Sequence, residues 1–182
     1  TDKYGIPEVT EETVARCMGT TKDECADIYF PNETHEKALE LLEESLEQAS
    51  RKLAIQGGEV YEGLEETLQE LSQNYRIGIV SNCLEGYIEA FMISSGLGKY
   101  FNDIVAAGKK GILKSDAIKL AIERDGVKNP IYVGDTHKDK EAAKGAGIEF
   151  IHARYGFEPN LENKYHIATI KELPMLLKTI DK

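Results

Sequence analysis

Two acidic side chains with the spacing of a metal site, Asp135 and Asp139, directly follow a short apolar run at 131–134. An apolar run of this length that ends in glycine predicts a buried strand of a parallel sheet. Ligands bind at the carboxyl ends of such strands. Two carboxylates with the Thr136 hydroxyl between them offer hard oxygen ligands suited to Mg²⁺, and a magnesium ion in that place usually serves a phosphate group.

Two further polar groups lie at positions that suit a phosphate. Ser81 and Asn82 follow the apolar run at 75–80, where a hydroxyl, backbone N–H groups and an amide can hold an anion. Lys114 precedes a helix that we expect to open at Ser115, so that a cation and a helix N-terminus act on the same anion. In chain order, these residues supply phosphate contact, charge neutralisation and a metal site.

Each candidate also has a purely structural interpretation. Asp139 is placed to cap the following helix whatever the function is, whereas Asp135 directly follows a buried strand and has no such role. Ser81 could simply end its strand with a turn. The lysines at 109–110 could supply the charge that we assign to Lys114, or could lie in solvent.

The order of hydroxyl, lysine and acidic pair resembles the haloacid dehalogenase superfamily of phosphatases. In that family the second motif is a strand-end Ser or Thr, here Ser81, and the third is a lysine near a helix start, here Lys114. The fourth is a Gly-Asp-x-x-x-Asp pattern, here Gly134, Asp135 and Asp139. The resemblance implies that Asp135 binds Mg²⁺ directly and that Asp139 acts through water or orients the loop. It also implies that Ser81 and Lys114 are catalytic residues that hold the phosphate.

The resemblance covers about residues 59–182 directly and residues 1–58 more weakly, as a helical cap. The local sequences at 80–83, 134–136 and 155–157 resemble those of family members of the phosphoglycolate phosphatase type. The family's first motif, Asp-x-Asp-Gly-Thr, carries its nucleophile and general acid–base, and it does not occur in this sequence. We therefore expect that the chain lacks its natural N-terminus, and that the missing piece is roughly one strand and a turn, central in the sheet.

Helical periodicity alone covers the first 58 residues, which predicts a small helical cap subdomain. Thr10 can begin the first helix, with Gly19 as its stop, and Thr21 with Glu24 forms a capping box for the second. A long helix is expected from about residue 33 to residue 55. Its apolar stripe recurs at intervals of three, four and seven residues: Ala38, Leu41, Leu42, Leu46, Ala49 and Leu53.

Strands alternate with helices from residue 59 to residue 182, which predicts an α/β core with a doubly wound parallel, Rossmann-like sheet. The expected strands lie near 76–81, 103–106, 130–134, 148–152 and 166–169. The expected helices lie near 64–71, 85–95, 115–125, 139–146 and 171–180.

The composition disfavours several classes of protein. The chain of 182 residues carries 32 acids and 22 bases, a net charge of −10, which disfavours binding to nucleic acid or to an anionic membrane. No apolar run approaches the roughly 20 residues that span a bilayer. Three cysteines without a Cys-x-x-Cys pair indicate a reducing cytoplasm rather than a disulfide framework. The four histidines lack zinc-ligand spacing, and the oligomeric state is left open.

These observations predict a cytoplasmic, Mg²⁺-dependent phosphatase for a small phosphorylated metabolite. Its aspartyl-phosphate would form on a nucleophile N-terminal to Thr1, so we expect this chain alone to be inactive. Three alternatives stay open at this stage: a phosphomutase of the same superfamily, a receiver-type signalling domain, and a binding protein that has lost catalysis. The encoded residues upstream of Thr1 distinguish the enzyme from the inactive protein.

Overall fold

The structure of the chain, a computed structural model, describes residues 10–18, 20–83, 86–108 and 112–180. The helices in these ranges are α1 (Glu11–Cys17), α2 (Lys22–Tyr29), α3 (His35–Gln56), α4 (Leu64–Leu71), α5 (Tyr87–Ser95), α6 (Lys114–Asp125), α7 (His137–Ala146) and α8 (Leu173–Ile180). The strands are β1 (Gly78–Ser81), β2 (Asp103–Ala106), β3 (Ile131–Gly134), β4 (Glu149–Ala153) and β5 (Tyr165–Ile167). Within the described ranges, the search for a helix both long and apolar enough to cross a membrane finds none.

Local capping explains where the N-terminal helices begin. Thr21 and Glu24 form the predicted capping box of α2, because the Thr21 side chain accepts from the Glu24 N–H and the Glu24 carboxylate accepts from the Thr21 N–H. The long helix α3 begins at His35, after the N-cap residue Thr34. Gly19, the predicted stop of the first helix, lies outside the described residues.

Only the first part of the predicted apolar stripe on α3 is buried. Ala38, Leu41 and Leu42 pack with Ala26 and Phe30 from the region of α2. Ala49, which the spacing places on the same stripe, is exposed. The 8-residue helix α2 packs on only part of the 22-residue helix α3, which also packs against α5, and Ala49 is covered by neither.

The strands form two parallel sheets with helices on both faces, which is the predicted α/β class. β1 pairs with β2, while β3, β4 and β5 pair in that order. On one face, Leu71 of α4 and both Leu173 and Leu177 of α8 pack against Ile151 and Ile167. Helices α6 and α7 pack against the strands on the other face. The last strand lies slightly earlier than the predicted 166–169.

The two sheets share no paired strands, but a hydrogen bond from the side chain of Tyr132 connects them. The carbonyls of Ile77 and Ser81 accept hydrogen bonds from residues beside β2. Because alternate residues of a strand point to opposite edges, the Val80 carbonyl points away from β2. It accepts a hydrogen bond from the Tyr132 hydroxyl of β3 at 3.0 Å. Within the described residues, one edge of β1 and one edge of β3 therefore lack a strand partner.

Candidate functional site

The predicted acidic pair lies at the carboxyl end of β3, in a loop folded around the Asp139 carboxylate. The Oδ2 atom of Asp139 accepts from the Thr136 hydroxyl at 2.8 Å, from the Thr136 N–H at 3.1 Å and from the Asp135 N–H at 3.2 Å. Residue 134 must be a glycine, because a Cβ atom at this position would lie only 2.6 Å from the Cβ atom of Asp139. Asp139 is only 4 % exposed, so its carboxylate serves the loop rather than the solvent.

Asp139 takes part in capping α7, but it is not the N-cap residue. The helix begins at His137 and its N-cap is Thr136, whose hydroxyl accepts from the Asp139 N–H at 3.2 Å. Asp139 is the third helical residue and completes a capping box. The prediction placed the helix start too late because it overlooked the Thr three residues before the acid.

Lys114 reaches Asp139 and forms a largely buried ion pair with its Oδ1 atom. The helix α6 begins at Lys114 itself, after the N-cap residue Leu113, which makes no side-chain cap. The prediction that Ser115 caps this helix is therefore wrong. Ser115 lies in the first turn of α6 and packs against Gly145 of α7. A Cβ atom on Gly145 would lie 3.1 Å from the Cβ atom of Ser115, so the two helices approach closely.

In the described part of the chain, Asp139 and Lys114 each lie beside an opposite charge, whereas Asp135 does not. Burial alone would raise the pKa of Asp139, but Lys114 and the Thr136 donors hold that pKa below its usual value. Burial raises the pKa of Asp135, and the nearby Asp139 carboxylate raises it further. Burial would lower the pKa of Lys114, but Tyr132 and Asp139 hold it above its usual value. Lys114 and Asp139 neutralise each other, whereas Asp135 has no cationic partner among the described side chains.

Asp135 is held in place by the loop that joins β4 to β5. Its Oδ2 atom accepts from the Phe157 N–H at 2.8 Å. Gly156 makes this approach possible, because a Cβ atom on it would overlap the Asp135 carboxylate. The fully buried His152 supports the loop through a hydrogen bond of its Nε2 to the Glu158 carbonyl at 3.0 Å. The sequence marks this segment only through the 155–157 string, since a backbone donor has no side-chain signature.

Asp135 has the chemistry of a Mg²⁺ ligand. A carboxylate offers about four acceptor positions, and the Phe157 N–H occupies one of those on Asp135. Asp139, in contrast, is engaged by Lys114 and by the three loop donors. Magnesium usually takes one or two protein carboxylates and completes its shell with water and phosphate oxygens. Among the described residues, no group of three or more His, Cys, Asp or Glu side chains is arranged to bind a metal ion. An open, one-carboxylate site is what these residues fit.

Two of the predicted phosphate residues, Asn82 and Lys114, share a cavity, whereas Ser81 is not among its lining residues. The Ser81 hydroxyl accepts from the Cys83 N–H at 3.2 Å, and the Asn82 amide donates to the Thr20 carbonyl at 3.4 Å. Asn82 and Lys114 line the same cavity of about 470 Å³, which also touches α2 and the first turn of α7. The alternatives to Lys114, the lysines at 109–110, lie outside the described residues. Asp135 and Asp139 do not line this cavity, and Lys114 connects it to the acidic pair, since Lys114 lines the cavity and forms an ion pair with Asp139.

Gly156→Ala tests whether Asp135 must keep its present position. The new methyl group would overlap the carboxylate, so we expect Mg²⁺ affinity to fall by about 10–100-fold, as for other displaced ligand supports. Calorimetric titration with Mg²⁺ measures this affinity. Gly98→Ala is the matched control, because its Cβ atom would meet Met92 at 3.4 Å, an ordinary contact. Unchanged Mg²⁺ affinity in a folded Gly156→Ala variant would contradict the assignment of Asp135.

Comparison with known proteins gives both curated relatives and a family model. The phosphoglycolate phosphatase of Pseudomonas fluorescens (strain Pf0-1) is 28% identical over 127 residues, which cover 67% of this chain and 45% of that protein. The phosphoglycolate phosphatase of Synechococcus elongatus is 31% identical over 102 residues, 54% of this chain and 48% of that protein. The chain thus spans about half the length of the curated relatives that it matches.

Solved structures with low sequence identity share the fold. A haloacid dehalogenase-like hydrolase family protein from Streptococcus pneumoniae matches with a TM-score of 0.79 at 16% identity, over 97% of this chain and 85% of that one. The L-2-haloacid dehalogenase of Xanthobacter autotrophicus, solved with chloropropionic acid covalently bound, matches with a TM-score of 0.61 at 18% identity, over 79% and 74%. The haloacid dehalogenase-like hydrolase family model matches residues 1–153, which is most of the sequence. The chain belongs to the haloacid dehalogenase-like hydrolase family.

Proposed function

We propose that the protein is a Mg²⁺-dependent phosphatase that acts on a small phosphorylated metabolite in the cytoplasm. The observation that carries this proposal is the cluster at the strand ends, in which Lys114 and Asp139 neutralise each other while Asp135 keeps an uncompensated negative charge. Such a carboxylate suits a divalent cation that also binds phosphate. The names of the curated relatives make phosphoglycolate the first substrate to test.

The proposed roles of the side chains are as follows. Asp135 would hold Mg²⁺, which when bound supplies positive charge beside the phosphoryl group. Asp139 keeps the loop folded and Lys114 oriented. Ser81 and Asn82 would contact the phosphate from the end of β1, and Lys114 would screen the charge shared by phosphate and nucleophile.

The first 58 residues would form a cap over this site, and residues 59–182 the catalytic core. Two contacts support this division. Lys138 of α7 pairs with Glu24 of α2 at 3.2 Å, and Asn82 reaches the Thr20 carbonyl, so α2 and the segment before it lie over the cavity. A cap in this position would exclude water and select the substrate.

The nucleophile is the role that no described acid near the site is free to fill. Asp139 is buried and paired, and Asp135 is needed for the cation. We propose that the nucleophile lies N-terminal to Thr1, on a further strand between β1 and β3, whose facing edges have no strand partner among the described residues. Its carboxylate oxygen would attack phosphorus while the bond to the substrate alcohol breaks, and a second acid would protonate the leaving alcohol. Water would then hydrolyse the aspartyl-phosphate.

A comparison of two proteins tests this function. The 182-residue chain, purified free of other phosphatases, should not hydrolyse phosphoglycolate or para-nitrophenyl phosphate with Mg²⁺. A protein that also contains the encoded upstream residues should be active, and a peptide of that strand added to the chain should restore part of the activity.

Two results would overturn the proposal. Turnover by the 182-residue chain, lost on Asp135→Ala, would place the nucleophile inside this sequence. An inactive longer protein that still binds Mg²⁺ would instead indicate a binding protein that has lost catalysis.

A further inference from the structure

Tyr132 contacts two of the groups that the proposed mechanism uses, although nothing in the motif pattern assigns it a role. Its ring centroid lies 5.6 Å from the Lys114 Nζ atom, within the range of a cation–π contact. The Tyr132 side chain is also one of the two groups that hold the pKa of Lys114 above its usual value. Its hydroxyl donates to the Val80 carbonyl at 3.0 Å. Val80 directly precedes Ser81, so this one phenol touches Lys114 and the strand that ends in the predicted phosphate-binding residue.

Lys114 needs more than its ion pair to stay in one position. A lysine side chain is a flexible four-carbon stem that ends in a point charge with three donors. Asp139 takes one of these donors, and on its own it would leave the ammonium free to swing about that contact. The ring face of Tyr132 adds a second, cation–π contact on another side. Together the two partners fix the ammonium between α6, α7 and β3.

We propose that Tyr132 is a positioning residue for Lys114, and that its ring sets where the ammonium can meet a phosphoryl group. This role rests on the proposed phosphatase function. The contact between Tyr132 and Lys114 carries the proposal rather than the bond to Val80, because a strand that entered beside β1 would compete for the Val80 carbonyl.

A double-mutant cycle on the 182-residue chain tests the contact without any activity. Tyr132→Leu should lower the melting temperature by roughly 2–6 °C more in the wild-type background than in a Lys114→Met background, because only the former still has a cation–π contact to lose. Tyr132→Phe keeps the ring and should therefore show little of this coupling. The lost bond to Val80 is common to both backgrounds and cancels in the cycle.

The matched control is Tyr165→Leu, since Tyr165 has its own partner, Lys164, which lies 4.4 Å from its ring centroid on the surface. This change should be additive with Lys114→Met. Equal melting-temperature losses for Tyr132→Leu in both backgrounds would overturn the proposal.

The second measurement uses the longer protein. Tyr132→Leu should lower its kcat by about 10-fold with little change in KM, since a misplaced ammonium fails mainly in the transition state. Tyr132→Phe keeps the ring and should lower kcat less. In the Lys114→Met background, Tyr132→Leu should cause no further loss. A changed KM with unchanged kcat would contradict the positioning role.

The two arms also separate this inference from the function on which it rests. If the longer wild-type protein is inactive, the phosphatase proposal fails while the stability cycle still decides the contact. If that protein is active and the cycle is additive, the inference about Tyr132 fails alone.

Discussion

Asp135→Asn is expected to remove nearly all of the phosphatase activity that we propose for the longer protein. The asparagine amide keeps the size of the side chain and can still accept from the Phe157 N–H, but it loses the negative charge that a hard cation needs. We expect kcat/KM to fall on the order of 10³-fold or more, together with the loss of any response to Mg²⁺. Assays over a range of Mg²⁺ concentrations measure both effects.

The stability of the same variant should move in the opposite direction. Asp135 is a charge whose pKa is raised by burial and by Asp139, so the charged form costs stability in the metal-free protein. Asp135→Asn should therefore leave the metal-free melting temperature unchanged or raise it. An acid with a raised pKa in the folded state costs stability above that pKa. The advantage of the variant should therefore disappear once the pH falls below the ordinary pKa of aspartate.

Asp139→Asn provides the contrast within the same loop. It removes the partner of Lys114 and should lower the melting temperature, while Mg²⁺ dependence weakens less than in Asp135→Asn. Equal and negligible effects of the two changes on Mg²⁺-dependent activity would contradict the assignment of both acids.

The sequence predicted those parts of the fold that depend on local pattern. The alternation of strands and helices after residue 59 has the observed order, and the capping box of Thr21 and Glu24 forms as expected. The position of the acidic pair at a strand end was predictable, because a short apolar run closed by glycine is a local signal for a strand. A local signal failed at α7, where Asp139 was expected to begin the helix and Thr136, three residues earlier, is the N-cap residue instead.

The contacts that complete the candidate site could not be predicted in this way. Tyr132 reaches Val80, a residue 52 positions away in sequence, across two sheets that do not pair. The Phe157 N–H that holds Asp135 belongs to the backbone, which every residue shares. One signal was present for Tyr132, since a tyrosine in a buried strand must find a partner for its hydroxyl. That rule indicates that a partner exists without identifying it.

Lys114→Met is expected to damage both stability and catalysis. The side chains of Lys114 and Asp139 are only 15% and 6% exposed, so removal of the ammonium leaves a buried carboxylate without its cation. Loss of one partner of such a pair costs about 3–5 kcal/mol, which is a large part of a typical domain's stability. Chemical denaturation of the variant and of the wild type measures this difference.

The pH dependence of that stability loss follows from the direction of the Asp139 shift. Its pKa is held below the usual value in the folded protein, so the pair stabilises the fold above the pKa of unfolded aspartate. This contribution is lost as the pH falls through the lowered pKa of the folded state. The difference between wild type and Lys114→Met should therefore be largest near neutral pH and should shrink in acid. A difference that stays constant across this range would show that the lost stability is packing rather than charge.

The catalytic effect of Lys114→Met should be on the order of 10²–10³-fold in kcat for the longer protein, assayed well below its melting temperature. The matched control is Lys119→Met, since Lys119 lies on the same helix and pairs at 3.3 Å with Asp116, both about half exposed. That variant should keep wild-type kcat and stability, because exposed pairs contribute little. Lys114→Arg should recover much of the stability through Asp139 but less of kcat, since the planar guanidinium places its charge differently. Wild-type kcat in a folded Lys114→Met variant would move the phosphate-neutralising role to another cation.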